Sequence, residues 1–228
     1  SKVGTYGTLY LNALIGTYKY IPNDAAIEAL TLNTSETFDF TVTDSLGATD
    51  TQTLTISITA TNDTPIISVG EGNSASDSLY ETNSALTSSG TLTLTDLDKT
   101  QTVSVSKVGL SATGVIGSFS ATDDSILLAM LSLDSGNVID NSSIVGTINW
   151  VFNSNGFNNA NLGKTFDYLA IGETLTLAYT IKATDSASLD SANQTIVITI
   201  TGTNDAPIIS LGTEDGVSAT LTETNETL

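Results

Sequence analysis

The sequence predicts an all-β chain of tandem antiparallel β-sandwich modules, and three features predict it. Apolar and hydroxylic residues alternate with period two over many short runs. Thr, Ser, Val and Ile are abundant, while aromatics are 6% and Pro only 3. Finally, "TNDTPII" at Thr61–Ile67 returns as "TNDAPII" at Thr203–Ile209, 142 residues further on. Alternation puts successive side chains on opposite faces, so each strand has an apolar face for a core and a wet one. β-branched residues suit that pleated surface. A repeat of this length is too long for a solenoid unit and about right for a domain.

The elements follow in order. "PNDAAIEAL" (Pro22–Leu30) is a short helical pattern that opens with Asn and Asp suited to an N-cap. Phe38, Phe40 and Val42 share one strand face, as do Leu54, Ile56 and Ile58 in "DTQTLTISIT". Leu92 and Leu94 start the next inward stripe. "TDDSILLAML" (Thr122–Leu131) is a second short helical pattern with its own Asp cap. Trp150, the single tryptophan, reads as a core anchor. Leu175, Leu177, Tyr179 and Ile181, then Ile196, Ile198 and Ile200, complete the stripes. Turns rich in Gly, Asn, Asp and Ser divide these runs, the spacing of a sandwich.

Repetition also predicts the boundaries. "ETN" occurs at Glu81–Asn83 and again at Glu223–Asn225; "SKVG" occurs at Ser1 and at Ser106. "VTDSLGATDTQTLTISITATND" parallels "ATDSASLDSANQTIVITITGTND". Residues 1–63 are accordingly expected to be the latter part of one module, without its first strands. Residues 64–205 form a complete, longer module with an insertion at roughly 110–165, and 206–228 begin a third. The opening at Ser1 falls in mid-pattern, as in a piece cut from a longer array.

Charge narrows the chemistry. Six basic residues against 25 acidic ones leave a net charge of −19. That field repels phosphate, so nucleic acid and acidic membrane surfaces are not expected partners, whereas divalent cations are natural counter-charges. With no Cys and no His, disulfides, thiol nucleophiles, ordinary zinc sites and imidazole catalysis are excluded. No apolar run reaches the roughly 18 residues of a membrane span. Paired carboxylates could in principle hydrolyse glycosides, but no nucleophile has a visible base, and the chain is not expected to be an enzyme.

The apolar stripes end in oxygen. Two residues past Val42 on the same face is Asp44. Past Ala183 comes Asp185, and past Leu94 come Asp96 and then Asp98. Ile58 and Ala60 lead to Asn62, and Ile200 and Gly202 to Asn204. Carboxylates at a core rim are costly unless a cation or donors compensate. In an antiparallel sandwich whose last strand runs into the joint, the upstream end of the second module gathers Asp96, Asp98 and Asp185. Asn62 and Asp63 of the joint arrive at the same end. Ca²⁺, which takes six to eight oxygens in flexible geometry, suits that set better than Mg²⁺. Asp and Asn are also ordinary turn residues, so a plain turn is the competing reading. Asn204 and Asp205 repeat the motif at the next joint. Glu81 and Glu223 are expected at downstream module ends, as weaker ligands for the joint that follows.

"GTYGTLYLNALIGTYKYIPNDAAIEAL…SETFDFTVTDSLGATDTQTLTISITATND" resembles the VCBS repeat, a bacterial extracellular module, and "KTFDYLAIGETLTLAYTIKATDS" resembles its longer variant. The joint "TND(T/A)P" is similar to the calcium-binding linkers of cadherin-like domains. The resemblance implies Ig-like or cadherin-like sandwiches serving as extender segments of very large Gram-negative surface adhesins, stiffened by calcium and commonly exported by type I secretion. The expected partners are neighbouring modules of the same chain. An alternative is an adhesive module binding surface glycans or copies of itself, through Tyr6, Tyr10, Tyr18 and Tyr20 or the Asn-rich Phe152–Asn161 stretch. The truncated end modules would leave strand edges for such self-association.

Overall fold

The structure is a computed structural model that describes residues 1–116, 124–155, 166–207, 209, 210, 216 and 218. The described residues are all-β apart from two short helices. The first region holds β1 (Lys2–Val3), β2 (Gly7–Asn12), β3 (Thr17–Pro22), helix α1 (Asp24–Glu28), β4 (Thr34–Thr43) and β5 (Thr49–Ile58). β1, β2 and β3 form one antiparallel sheet, and β4 and β5 form a two-stranded hairpin. Leu9, Phe38 and Ile58 are buried between them. Tyr20 packs edge-on against Phe38 at 6.2 Å, and Tyr18 lies 6.4 Å from Phe40.

The second region is a sandwich of two larger sheets. Its strands are β6 (Ile66–Ser68), β7 (Ser76–Tyr80), β8 (Thr87–Thr95), β9 (Val103–Gly114), β10 (Leu131–Leu133), β11 (Asn137–Ile139), β12 (Val145–Asn153), β13 (Thr174–Asp185) and β14 (Gln194–Thr201), with α2 (Asp124–Ala129) before β10. One sheet runs β10-β12-β8-β6, the other β11-β9-β13-β14-β7. Alternation does its expected work on β13, where every second residue from Leu175 to Asp185 is buried. One continuous core spans both sheets, from Leu86 to Ile200. Trp150 is fully buried in it, its Nε1 donating to the Ser74 carbonyl at 2.8 Å. Facing it across the β12–β8 ladder is Gly90, where a Cβ would come within 2.5 Å of the indole ring. Only glycine leaves room for that ring.

Several expectations change. β7 pairs with β14 in parallel, against an otherwise antiparallel plan. The strands β10, β11 and β12 all lie in the stretch read as an insertion, where the sequence left the strand count open, and they take places in the two sheets. Val42, near the turn end of the β4–β5 hairpin, is 67% exposed and does not join a core. Asn23 sits at the N-cap of α1 but makes no side-chain cap bond, and the helix covers only part of Pro22–Leu30. Leu131 belongs to β10, so α2 is shorter than its sequence pattern; Thr122 and Asp123 lie outside the described residues. No helix among the described residues is long and apolar enough to cross a membrane.

Candidate metal centre at the joint

β5 delivers the chain to the joint, and β6 takes it onward into the second sandwich. Two inward stripes of that sandwich end beside it. β8 buries Leu92 and Leu94 and continues inward to Asp96 and Asp98, which are 2% and 0% exposed. β13 ends at Asp185, 5% exposed. Strand parity makes all three point with the core, although they stand at its rim.

The joint reaches each of them or their neighbours. Asn62 Nδ2 donates to Asp185 Oδ2 at 2.7 Å, across 123 residues of sequence. The Asp63 backbone N–H donates to Asp98 Oδ2 at 2.7 Å, and the Asp98 N–H donates to Asp96 Oδ1 at 3.0 Å. Asp185 Oδ1 is held by the Leu189 N–H at 2.7 Å. Two oxygens are left over: Asp96 Oδ2 and Asp98 Oδ1 are buried with no hydrogen-bond partner. Orphaned buried carboxylate oxygens are rare because each forfeits its water. Burial is the main force pushing the Asp96 and Asp98 carboxyls above the ordinary carboxylate range. The Asp185 and Asp63 charges add to it at both, and the Asp98 charge adds further at Asp96. A cavity of about 390 Å³ opens beside Asp63 and Asp96, lined also by Thr95 and Leu97.

The structure thus brings Asn62, Asp63, Asp96, Asp98 and Asp185 together. Among the described residues no three acidic side chains converge as a ready-made metal-holding group. Donors of the protein itself occupy several of the oxygens instead. Gln101 is one that sequence reading missed: its Nε2 donates to Asn62 Oδ1, and it is 8% exposed. It stands two residues before buried Val103 on the inward face of the incoming strand. Applying the stripe-end rule to strand beginnings would have found it.

The other predicted residues fall at the far end. Glu81 is 1% exposed; its Oε2 accepts from Thr203 Oγ1 at 2.9 Å and from the Thr203 N–H at 3.3 Å, while Oε1 is buried without a partner. Asn204 and Asp205 follow directly, both exposed, and Asn204 Nδ2 donates to the Asp205 carbonyl at 3.3 Å. Glu223 and most of the Asn-rich stretch lie outside the described residues. Asp44, the stripe-end in the first region, is an exposed turn residue whose Oδ1 caps the Leu46 and Ala48 N–H groups at 2.8 and 2.9 Å.

Residues 1–57, a quarter of the chain, match the bacterial Ig domain family. No curated protein matches. Among solved structures the fold resembles a PapD-like domain of human CEP192, at 13% identity and TM-score 0.35, over 62% of this chain and 86% of that one. It also resembles the CooA pilin subunit of enterotoxigenic Escherichia coli, at 12% and 0.36, over 63% and 100%. A variant of the SrpA adhesin of Streptococcus sanguinis follows at 18% and 0.31, over 63% and 60%. Resemblances this shallow place no residue of this chain in a role.

Proposed function

We propose that the chain is a spacer segment of a bacterial surface adhesin, displayed outside the cell and stiffened by Ca²⁺ bound where consecutive sandwiches meet. The observation that carries this is the pair of orphaned buried oxygens, Asp96 Oδ2 and Asp98 Oδ1, facing a joint that brings Asn62 and Asp63 to the same rim. A cluster of acidic residues alone would be weak support. Buried, mutually repelling carboxylates, two of which keep one oxygen without a donor, fit a cation, and a flexible all-oxygen set fits Ca²⁺. Asp63, Asp96, Asp98 and Asp185, with the Asn62 carbonyl, are the residues that would hold it. Bound there, the ion supplies the positive charge that offsets their repulsion.

The rest follows from the chain's own groups. Asn62 and Asp63 tie the end of one module to the rim of the next, so whatever fixes the rim fixes the angle between them. Glu81, Asn204 and Asp205 would serve the following joint in the same way. A metal-dependent rim also links folding to calcium, which keeps the chain less stable where calcium is scarce. The match of the first 57 residues to a bacterial Ig domain supports a surface module.

The test is thermal unfolding of the whole chain with calcium and with chelator, in the parent and in an Asp96→Asn, Asp98→Asn double variant. A ligand at a hundredfold excess over Kd adds about 2.7 kcal/mol, which is roughly 5–10 °C for a chain of this size. The parent is expected to show that rise and the double variant to lose it. An identical calcium response in both would remove these residues as ligands.

A further inference from the structure

We propose that the cleft between helix α1 and the second sandwich binds a short apolar peptide by its two charged ends, the amino end on α1 and the carboxylate on Lys99. The cleft holds about 700 Å³. Small-molecule sites run from roughly 300 to 1,000 Å³ and favour the boundary between domains. One wall is a single face of α1. Asp24, Ala25, Glu28 and Ala29 recur at helical spacing, so two carboxylates and two methyl groups look the same way. No residue of α1 is buried, so this face serves no core.

The other wall comes from two turns of the sandwich. Leu97 and Lys99 stand before β9, and residues 142–144 stand before β12. Leu97 is 46% and Ile144 39% exposed, an unusual outlay of aliphatic surface in one place. The 142–144 turn is held in shape from within. Asp140 Oδ1 accepts the Ser142 N–H at 2.9 Å and its hydroxyl at 2.6 Å, and Ser143 Oγ donates to the Val145 carbonyl at 2.7 Å. The Asp96 N–H donates to the Ile144 carbonyl at 3.0 Å, which binds the two turns together. Thr31 and Thr100 share a hydroxyl hydrogen bond of 2.7 Å and so tether the α1 side to the Lys99 turn.

Opposite charges therefore line the two walls without meeting. Among the described residues neither Lys99 nor Asp24 nor Glu28 makes an ion pair. An ammonium group suits the two carboxylates, a carboxylate suits Lys99, and apolar bulk between them suits Leu97 and Ile144. That is the layout of a free peptide with apolar side chains. A fatty acid lacks the cation. A neutral sugar would find no aromatic face among the described residues of the cleft. The net charge of −19 draws in a cationic end more readily than an anionic one, so the α1 contact should dominate. None of these side chains is among the proposed calcium ligands, and the inference stands apart from that reading.

The test is isothermal titration of the whole chain, in chelator, with leucyl-alanyl-leucine, its N-acetyl form and its C-terminal amide. The free peptide should bind, N-acetylation should weaken it about tenfold or more, and amidation only about threefold. The Asp24→Asn, Glu28→Gln double variant should lose as much as N-acetylation does. In Lys99→Gln the free and amidated peptides should bind alike. All three side chains are exposed, so thermal unfolding of the variants should match the parent and show that the fold is intact. No heat from the free peptide at millimolar concentration would overturn the inference. Equal binding of the acetylated and free peptides, or full binding by the double variant, would overturn it as well.

Discussion

The turn joining β4 to β5 and the turn joining β13 to β14 are one turn in two settings. In each, an aspartate N–H donates to the carbonyl four residues on: Asp44 to Ala48 at 2.9 Å, Asp185 to Leu189 at 3.1 Å. In each, the carboxylate takes back the N–H of that same residue, at 2.9 and 2.7 Å. The third residue after the aspartate is left-handed in both, Gly47 at φ 89° and Ser188 at φ 72°. What differs is the company. Asp44 stays in solvent, whereas Asp185 is buried and its second oxygen receives Asn62 from the joint. Local residues specify the turn; a segment distant in sequence decides whether its carboxylate is only a cap or also takes a bond from the joint.

The largest effect that would test this contrast comes from removing each aspartate. Asp185→Ala leaves the Leu189 N–H and the Asn62 amide without their acceptor at a partly dry rim, a loss of about 2–3 kcal/mol. Asp44→Ala, whose partners can turn to water, should cost at most about half as much. Urea unfolding in chelator, following the Trp150 signal for the Asp185 variant and far-ultraviolet dichroism for the Asp44 variant, gives the two numbers. Equal losses would mean that the joint adds nothing to Asp185.

The same contrast marks what the sequence could reveal. The inward course of Asp96, Asp98 and Asp185 was legible, since strand parity carries a buried stripe to its last residue. Asp44 satisfied the same parity rule and is not buried, because parity says which face a residue takes and not whether anything covers that face. Val42 failed for the same reason. The parallel partner of β14 was illegible for another: "SDSLY" has only Leu79 as an aliphatic inward residue, too little alternation to declare a strand. Topology placed Asn62 and Asp185 at the same end, but no local pattern encodes the particular bond between them across 123 residues. The all-β class, written in every stripe, survived intact.

A smaller effect separates the rims by pH. Burial, and then neighbouring charge, raises the Asp96 and Asp98 carboxyls in the folded chain. The folded state then holds those protons more tightly than the unfolded one. Without metal, these groups therefore favour folding at low pH and cost stability as pH rises from the unfolded carboxylate value of about 3.9 through the raised folded values. Stability in chelator should fall as pH rises above that unfolded value, and the Asp96→Asn, Asp98→Asn variant should flatten that slope. With calcium the parent's trend should reverse, since the cation binds only the ionised forms. A parent slope in chelator unchanged by the double substitution would show that these carboxyls ionise freely.

The smallest expected effect isolates the turn from its surroundings. Ser188 holds a left-handed backbone that glycine adopts without the Cβ penalty, whereas Gly47 already has the residue its conformation favours. Ser188→Gly should therefore stabilise the second sandwich by a few tenths to about 1 kcal/mol, the relief of strain exceeding the added freedom of the unfolded glycine. Gly47→Ser should cost the first hairpin a comparable amount. Because the Ser188 N–H already donates to the Asp185 carbonyl at 3.1 Å, as Gly47 does to Asp44, neither exchange alters the hydrogen bonding. Opposite signs in thermal unfolding would leave burial of Asp185 as the one physical difference between the turns. A destabilising Ser188→Gly would instead mean that the serine side chain, and not the incoming joint, helps hold the second turn in its buried form.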